Sequence, residues 1–264
     1  MKKILLLLLL CILLSGCSPA EIPEQTQTTT APVTSPSTEP SEPVLEPPQT
    51  EPPQTEPSHT ELYHPDIPVE DVILSFNEVC LDAEFVNGGD PSRLQKWNVP
   101  IRYGVFGSPT EEDTTVLTGF VDWLNTIYGF PGMTLVESGP DINLRIYFCS
   151  QDELLAIMGD NFTGMDGAVT FWYEQDAIYD ATICIRTDIS QTVRNSVILE
   201  ELYNGLGPIQ DTWLREDSII YAGYSEPQCL TAMDELLLQL LYRPELQCGM
   251  DARECEILIR ALYE

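Results

Sequence analysis

Glu200, Glu201 and Asn204 stand close together in the run Val197-Ile-Leu-Glu-Glu-Leu-Tyr-Asn-Gly-Leu-Gly207: two adjacent carboxylates and an amide one helical turn on. Their spacing is that of the zinc motif H-E-x-x-H-x-x-G, in which two imidazoles one turn apart hold the metal and the glutamate acts as general base. Laid on that frame, Glu200 takes the place of the first imidazole, Glu201 that of the base, Asn204 that of the second imidazole and Gly207 that of the glycine. Only Glu201 and Gly207 fit. The chain has two histidines, His59 and His64, both ahead of the part that reads as folded, so a histidine-ligated zinc site is excluded and no metal or other cofactor is expected. What remains is oxygen chemistry. Glu201 is the candidate catalytic base, with Glu200 as a partner if their environments separate their pKa values. An ion held by Glu200, Glu201, Asn204, Gln210 or Asp211 would see oxygens, a set suited to calcium or magnesium rather than to tetrahedral zinc. Adjacent helix residues do not face each other, so Glu200 and Glu201 cannot simply chelate together.

These groups need a helix to position them. At 100° per residue, Ile198, Leu199, Leu202, Tyr203 and Leu206 share one face; Val193, Val197, Glu200, Asn204 and, at its margin, Glu201 share the other. The two valines imply that the first half of the second face is covered, which would bring the carboxylates out at the wall of a cleft. Asp188 with Gln191 is expected to open this helix.

Other helix starts are equally legible. Ser108-Pro-Thr-Glu111 opens a helix expected to stop near Gly129, and Ser150-Gln-Asp-Glu153 opens a shorter one ending near Gly159. Thr231 with Asp234 and Asp251 with Glu254 open the last two, and an earlier helix is expected from Pro68 to Phe85. Between them lie strand-like runs: Val99 to Phe106, Met133 to Glu137, Ile142 to Cys149, Ala168 to Glu174 and Ile178 to Thr187. Strands and helices intermix and helices close the chain, which predicts a single α+β domain over residues 66–264, a mixed sheet packed against helices.

Residues 1–16 read as a secretory signal: Lys2-Lys3, an apolar run from Ile4 to Leu14, then small residues. The run is too short to span a bilayer as a stable helix. Leu14-Ser15-Gly16-Cys17 resembles the bacterial lipobox, which implies a diacylglyceryl group on Cys17, a membrane anchor, and an extracytoplasmic location at the bacterial cell membrane. Residues 17–65 form a Pro/Thr/Glu-rich linker with the local repeat Glu46-Pro-Pro-Gln-Thr, Glu51-Pro-Pro-Gln-Thr, Glu56-Pro-Ser-His-Thr. Such composition is expected to stay disordered, and in extended form would give a reach of ~100 Å or more.

The chain carries 42 acidic against 12 basic residues, a net charge of −30, and Lys2 and Lys3 leave with the signal segment. Nucleic acid and anionic lipid are therefore poor partners. Cys80, Cys149, Cys184, Cys229, Cys248 and Cys255 form no C-x-x-C pair, and buried thiols and disulfides remain equal alternatives.

Downstream of Gly207, Ser218-Ile-Ile-Tyr221 is similar to the S-I-M-Y turn that underlies the metal in metzincins, with Ile220 in place of the methionine. Leu230-Thr-Ala-Met-Asp234 through Leu241-Tyr242 resembles the closing helix of the same peptidases. With Phe76, Glu84-Phe85, Trp97, Pro100 and Pro244 to Met250, the domain looks closer still to the bacterial domain-of-unknown-function family 2927, whose layout is zincin-like and which as a rule lacks the zinc-binding histidines. The resemblance implies a zincin-like fold and a cleft along the helix bearing Glu201, with no metal carried over. Three functions fit: a catalytically inactive module that binds a protein, peptide or cell-wall component; a hydrolase using Glu201 with an oxygen-ligated or metal-free site; and a structural component of the envelope.

Overall fold

A computed structural model describes residues 62, 64–81 and 93–263. The signal segment, Cys17 and the linker up to residue 61 lie outside the described residues. Within them the order is α1 (Val69–Cys80), β1 (Lys96–Trp97), β2 (Ile101–Gly107), α2 (Glu111–Leu124), β3 (Met133–Leu135), β4 (Leu144–Cys149), α3 (Gln151–Met158), β5 (Gly167–Glu174), β6 (Ala177–Arg186), α4 (Gln191–Asn204), α5 (Ala232–Leu241) and α6 (Ala252–Tyr263). No helix among the described residues is long and apolar enough to cross a membrane.

The six strands form one mixed sheet, as the alternation of runs predicted. β2 lies parallel between β3 and β4, and β4 runs parallel to β6. β1 continues that edge of β6 at Ala177 and Ile178, while β5 pairs antiparallel along its opposite edge. Gln175 and Asp176 join β5 to β6 with φ of 50° and 63°, the left-handed pair that a two-residue hairpin turn requires. Ala181 to Ile185 of β6 are all buried, as expected of a strand covered on both faces. One face, carrying Val169, Ile183 and Ile185, packs under α4 in the main core; the other, carrying Ala168 and Cys184, packs with Cys149 and Leu154 near α3.

Several boundaries differ from expectation, each for a local reason. The α2 cap is Thr110 rather than Ser108: its hydroxyl accepts from the Asp113 N–H, and the Asp113 carboxylate accepts from the Thr110 N–H. The reciprocal capping box needs a carboxylate three residues on, which Asp113 supplies to Thr110, so Ser108 sits outside the helix. α2 ends at Leu124, not near Gly129, because the Asn125 amide turns the chain by bonding both the N–H and the carbonyl of Met133. Ser190, not Asp188, caps α4, since the Asp188 carboxylate is held by the Arg186 guanidinium at 2.9 Å. α1 ends at Cys80 instead of Phe85, and residues 82–92 lie outside the described set. β1 had no signal, because two residues are too few to show a period.

All six cysteines of the domain are free, with Cys80, Cys149, Cys184 and Cys255 buried.

Candidate functional site

α4 is fixed at its start by charge. Arg194 donates to the Asp113 carboxylate at 2.7 Å and to the Thr187 carbonyl at 2.9 Å, an ion pair in which Asp113 is fully buried. Burial alone would raise the Asp113 carboxyl, but the Thr110 N–H, Arg194, Gln191 and the Thr110 hydroxyl together hold it below the ordinary carboxylate value.

The far half of the helix is covered on every side. Glu200 is 7% exposed, Glu201 2% and Asn204 2%, so the face expected at a cleft wall is interior in this conformation. Gly167, first residue of β5, lies directly against Glu201: a β-carbon there would come within 2.7 Å of a Glu201 carboxylate oxygen. The same carboxylate lies near Cys184, whose thiol is pushed far up by its hydrogen bond with Cys149, by burial and by the charges beside it.

A buried helix end must have its last carbonyls satisfied by other groups. Trp97 Nε1 donates to the Gly205 carbonyl at 2.9 Å, and the Tyr242 hydroxyl donates to the Leu206 carbonyl at 2.7 Å. Gly207 then turns away with φ of 127°, where a β-carbon would sit 2.4 Å from the Gln95 carbonyl oxygen. Only glycine fits there, which accounts for the motif glycine by packing alone.

Of the remaining candidates, Asn204 Nδ2 donates to Asp211 Oδ1 at 3.2 Å, so these two are brought together. The buried Asn204 Oδ1 has no hydrogen-bond partner. Gln210 sits against α1, its N–H on the Val79 carbonyl. Among the described residues no three His, Cys, Asp or Glu side chains are arranged to hold a metal ion.

The turn at Ser218 and helix α5 form one unit around Asp234, which is completely buried. Its carboxylate accepts from Ser218 Oγ at 2.6 Å, Arg215 Nη1 at 2.7 Å, the Thr231 N–H at 3.0 Å and the Ile219 N–H at 3.2 Å. Tyr203 of α4 donates to the Asp234 carbonyl at 2.9 Å, tying this unit beneath the helix. Ile220, in the place of the methionine, is fully buried.

Lys96 is a buried cation the sequence did not reveal. Its buried ammonium donates to the carbonyls of Leu241 (2.8 Å), Arg243 (3.2 Å) and Leu246, closing the C-terminal end of α5. Burial lowers it to about 8, opposed by Cys248, Cys255 and Glu245. A cavity of about 530 Å³ lies beside it, lined by Trp97, Tyr242 and Cys248 among others, and away from Glu201 and Asn204.

Among curated proteins no sequence matches the chain. Among solved structures it is similar to the crystal structure of myroilysin, at 14% identity, over 62% of this chain and 70% of that one, with a TM-score of 0.28. Residues 70–261 match the model of the family described as "Protein of unknown function (DUF2927)", and the chain belongs to that family.

Proposed function

We propose that this chain is a lipid-anchored protein on the extracytoplasmic face of the bacterial cell membrane, with a zincin-like layout that serves binding rather than peptide hydrolysis. Its ligand is a protein, a peptide or a component of the cell envelope. The observation that carries this reading is the state of Glu201: the residue at the general-base position is 2% exposed and packed against Gly167. A general base must lie within hydrogen-bond reach of the proton it abstracts, and this one is enclosed by its own fold. Glu200 and Asn204, at the imidazole positions, are buried as well. The order of α4, the Ser218 turn and α5 around Asp234 supports the zincin-like layout, and the lipobox at Cys17 supports the anchor.

One observation favours the second reading, a hydrolase with an oxygen-ligated site. Asn204 Oδ1 is buried without a hydrogen-bond partner, beside Asp211. A cation there would satisfy that oxygen.

Calorimetric titration of the full chain with defined peptides and soluble cell-wall fragments tests the two together, with hydrolysis assayed alongside and zinc, calcium or magnesium added in turn. Saturable binding without turnover is expected. Turnover that Glu201→Gln abolishes overturns the binding reading. For the anchor, Cys17→Ala is expected to move the chain from the membrane fraction to the soluble one; retention in the membrane overturns lipidation at that residue.

A further inference from the structure

The loop that follows α4 carries three of the most exposed large apolar side chains of the domain: Trp213 at 65%, Leu214 at 54% and Tyr224 at 63%. Single exposed apolar residues need no explanation. These three fall within twelve residues, however, and the backbone at Trp213 and Leu214 is held by hydrogen bonds. Thr212, completely buried, bridges Tyr221: its N–H donates to the Ile220 carbonyl and its carbonyl accepts from the Ala222 N–H, each at 2.9 Å. Glu78 of α1 clamps the same point from below, accepting from the Thr212 hydroxyl and from the Trp213 N–H at 2.8 Å. Tyr221 meets the Trp213 ring edge-on, with centroids 6.2 Å apart and planes at 78°. The backbone at Trp213 is tied to Glu78 while its indole stays exposed, with Tyr221 as its ring neighbour, and tryptophan and tyrosine are the usual anchors of interfaces.

The exposed charged residues of this loop are of one sign. Glu216 and Asp217, two and three residues after Leu214, are exposed, and the carboxylate of Glu226 takes the Tyr224 hydroxyl bond. Arg215 is the sole basic residue between positions 205 and 231, and its guanidinium is spent inward on Asp234 and Ser218.

We propose that this loop, with Trp213 packed on Tyr221 and with Leu214, Tyr224, Glu216 and Asp217 exposed along it, docks a polypeptide segment that carries Lys or Arg side chains beside aliphatic ones. The aliphatic groups cover Leu214 and the ring edges, while the cations meet the faces of the rings and the two carboxylates. An anionic lipid surface would be repelled, and a second copy of the chain would set like charges against each other. This inference rests on the binding reading above and names the partner's chemistry.

The test uses the full chain, a short unstructured Lys/Leu/Gly peptide and its counterpart with Glu in place of Lys. Calorimetry should show saturable binding of the cationic peptide, weakened by salt, and no binding of the acidic one. Trp213→Ala is expected to weaken binding by about tenfold or more, the size of an interface anchor. Glu216→Gln with Asp217→Asn should weaken it by roughly threefold and flatten the salt dependence. Trp213 is mostly exposed, so its variant should keep the wild-type melting temperature, which separates lost binding from lost fold. Equal binding by Trp213→Ala, or equal binding of the acidic peptide, overturns the proposal while leaving a binding function standing. Self-association that Trp213→Ala abolishes also overturns it, assigning the face to a second copy. If neither peptides nor cell-wall fragments bind the wild type, the binding reading itself fails.

Discussion

Gly167 and Glu201 are in direct contact: an added β-carbon on the glycine would lie 2.7 Å from a carboxylate oxygen of the glutamate and 2.4 Å from a methyl carbon of Val197. A strand terminus thus covers the one residue of α4 that the zinc motif would use as a base. Gly167→Ala is expected to destabilise the domain by about 1–3 kcal/mol through overpacking, read as a lower urea midpoint. Adding Glu201→Ala should recover part of that loss, with a coupling of roughly 0.5 kcal/mol or more. Strict additivity of the two substitutions would show that the contact is not felt.

Asp234 collects donors from Ser218, Arg215, Ile219 and Thr231 with no solvent contact. Asp234→Ala leaves the Arg215 guanidinium, itself 12% exposed, without its counter-charge. Removing one partner of a buried pair costs about 3–5 kcal/mol, so the variant should be marginally folded or unfolded at 37 °C by circular dichroism. A wild-type melting curve would contradict the hub.

Acid should weaken the link between α2 and α4. The Asp113 carboxyl is held below its ordinary value in the folded state. A depressed carboxyl contributes stability that is present above its unfolded pKa, about 3.9, and is lost as pH falls through the folded pKa. Urea midpoints measured from pH 5 downward should fall with a steeper slope for the wild type than for Asp113→Asn. Parallel slopes would assign the acid sensitivity to other carboxyls.

Lys96 gives a slope of the same sign at alkaline pH. Burial depresses it from 10.5 to about 8, so between those values the unfolded chain binds more protons and stability rises with pH. The Lys96 share of that slope is about 1 kcal/mol between pH 8 and 9, read as the difference between the wild type and Lys96→Met. It should be absent in Lys96→Met, which is also destabilised because three carbonyls lose their donor. The buried Cys80, Cys184 and Cys255, all raised in the fold, pull the other way from the unfolded thiol value of about 8.5 upward, in wild type and variant alike.

Much of this architecture can be read along the chain because its signals are local. The helix at Glu201 and the capping pairs Ser150 with Glu153 and Thr231 with Asp234 each depend on residues within four positions of one another. Where boundaries moved, as at Thr110 and Ser190, the competing group was a neighbour that a pattern cannot rank. The turn at Ser218 and the helix at Asp234 were also visible as motifs, but that one carboxylate unites them was not.

By itself the sequence determined the absence of any histidine to make a zinc site in the domain, the net charge of −30, the mixed α+β order and the glycine at position 207. Tertiary structure decided what those residues meet. A helical wheel gives the direction of Glu201 but not what stands there, and β5, over thirty residues earlier in the chain, places Gly167 against it. The packing reason for Gly207 came from the Gln95 carbonyl, and the role of Lys96 from three carbonyls almost 150 residues away. Contacts at such separations are set by how the sheet and helices close on each other, a property of the whole core that no local pattern encodes.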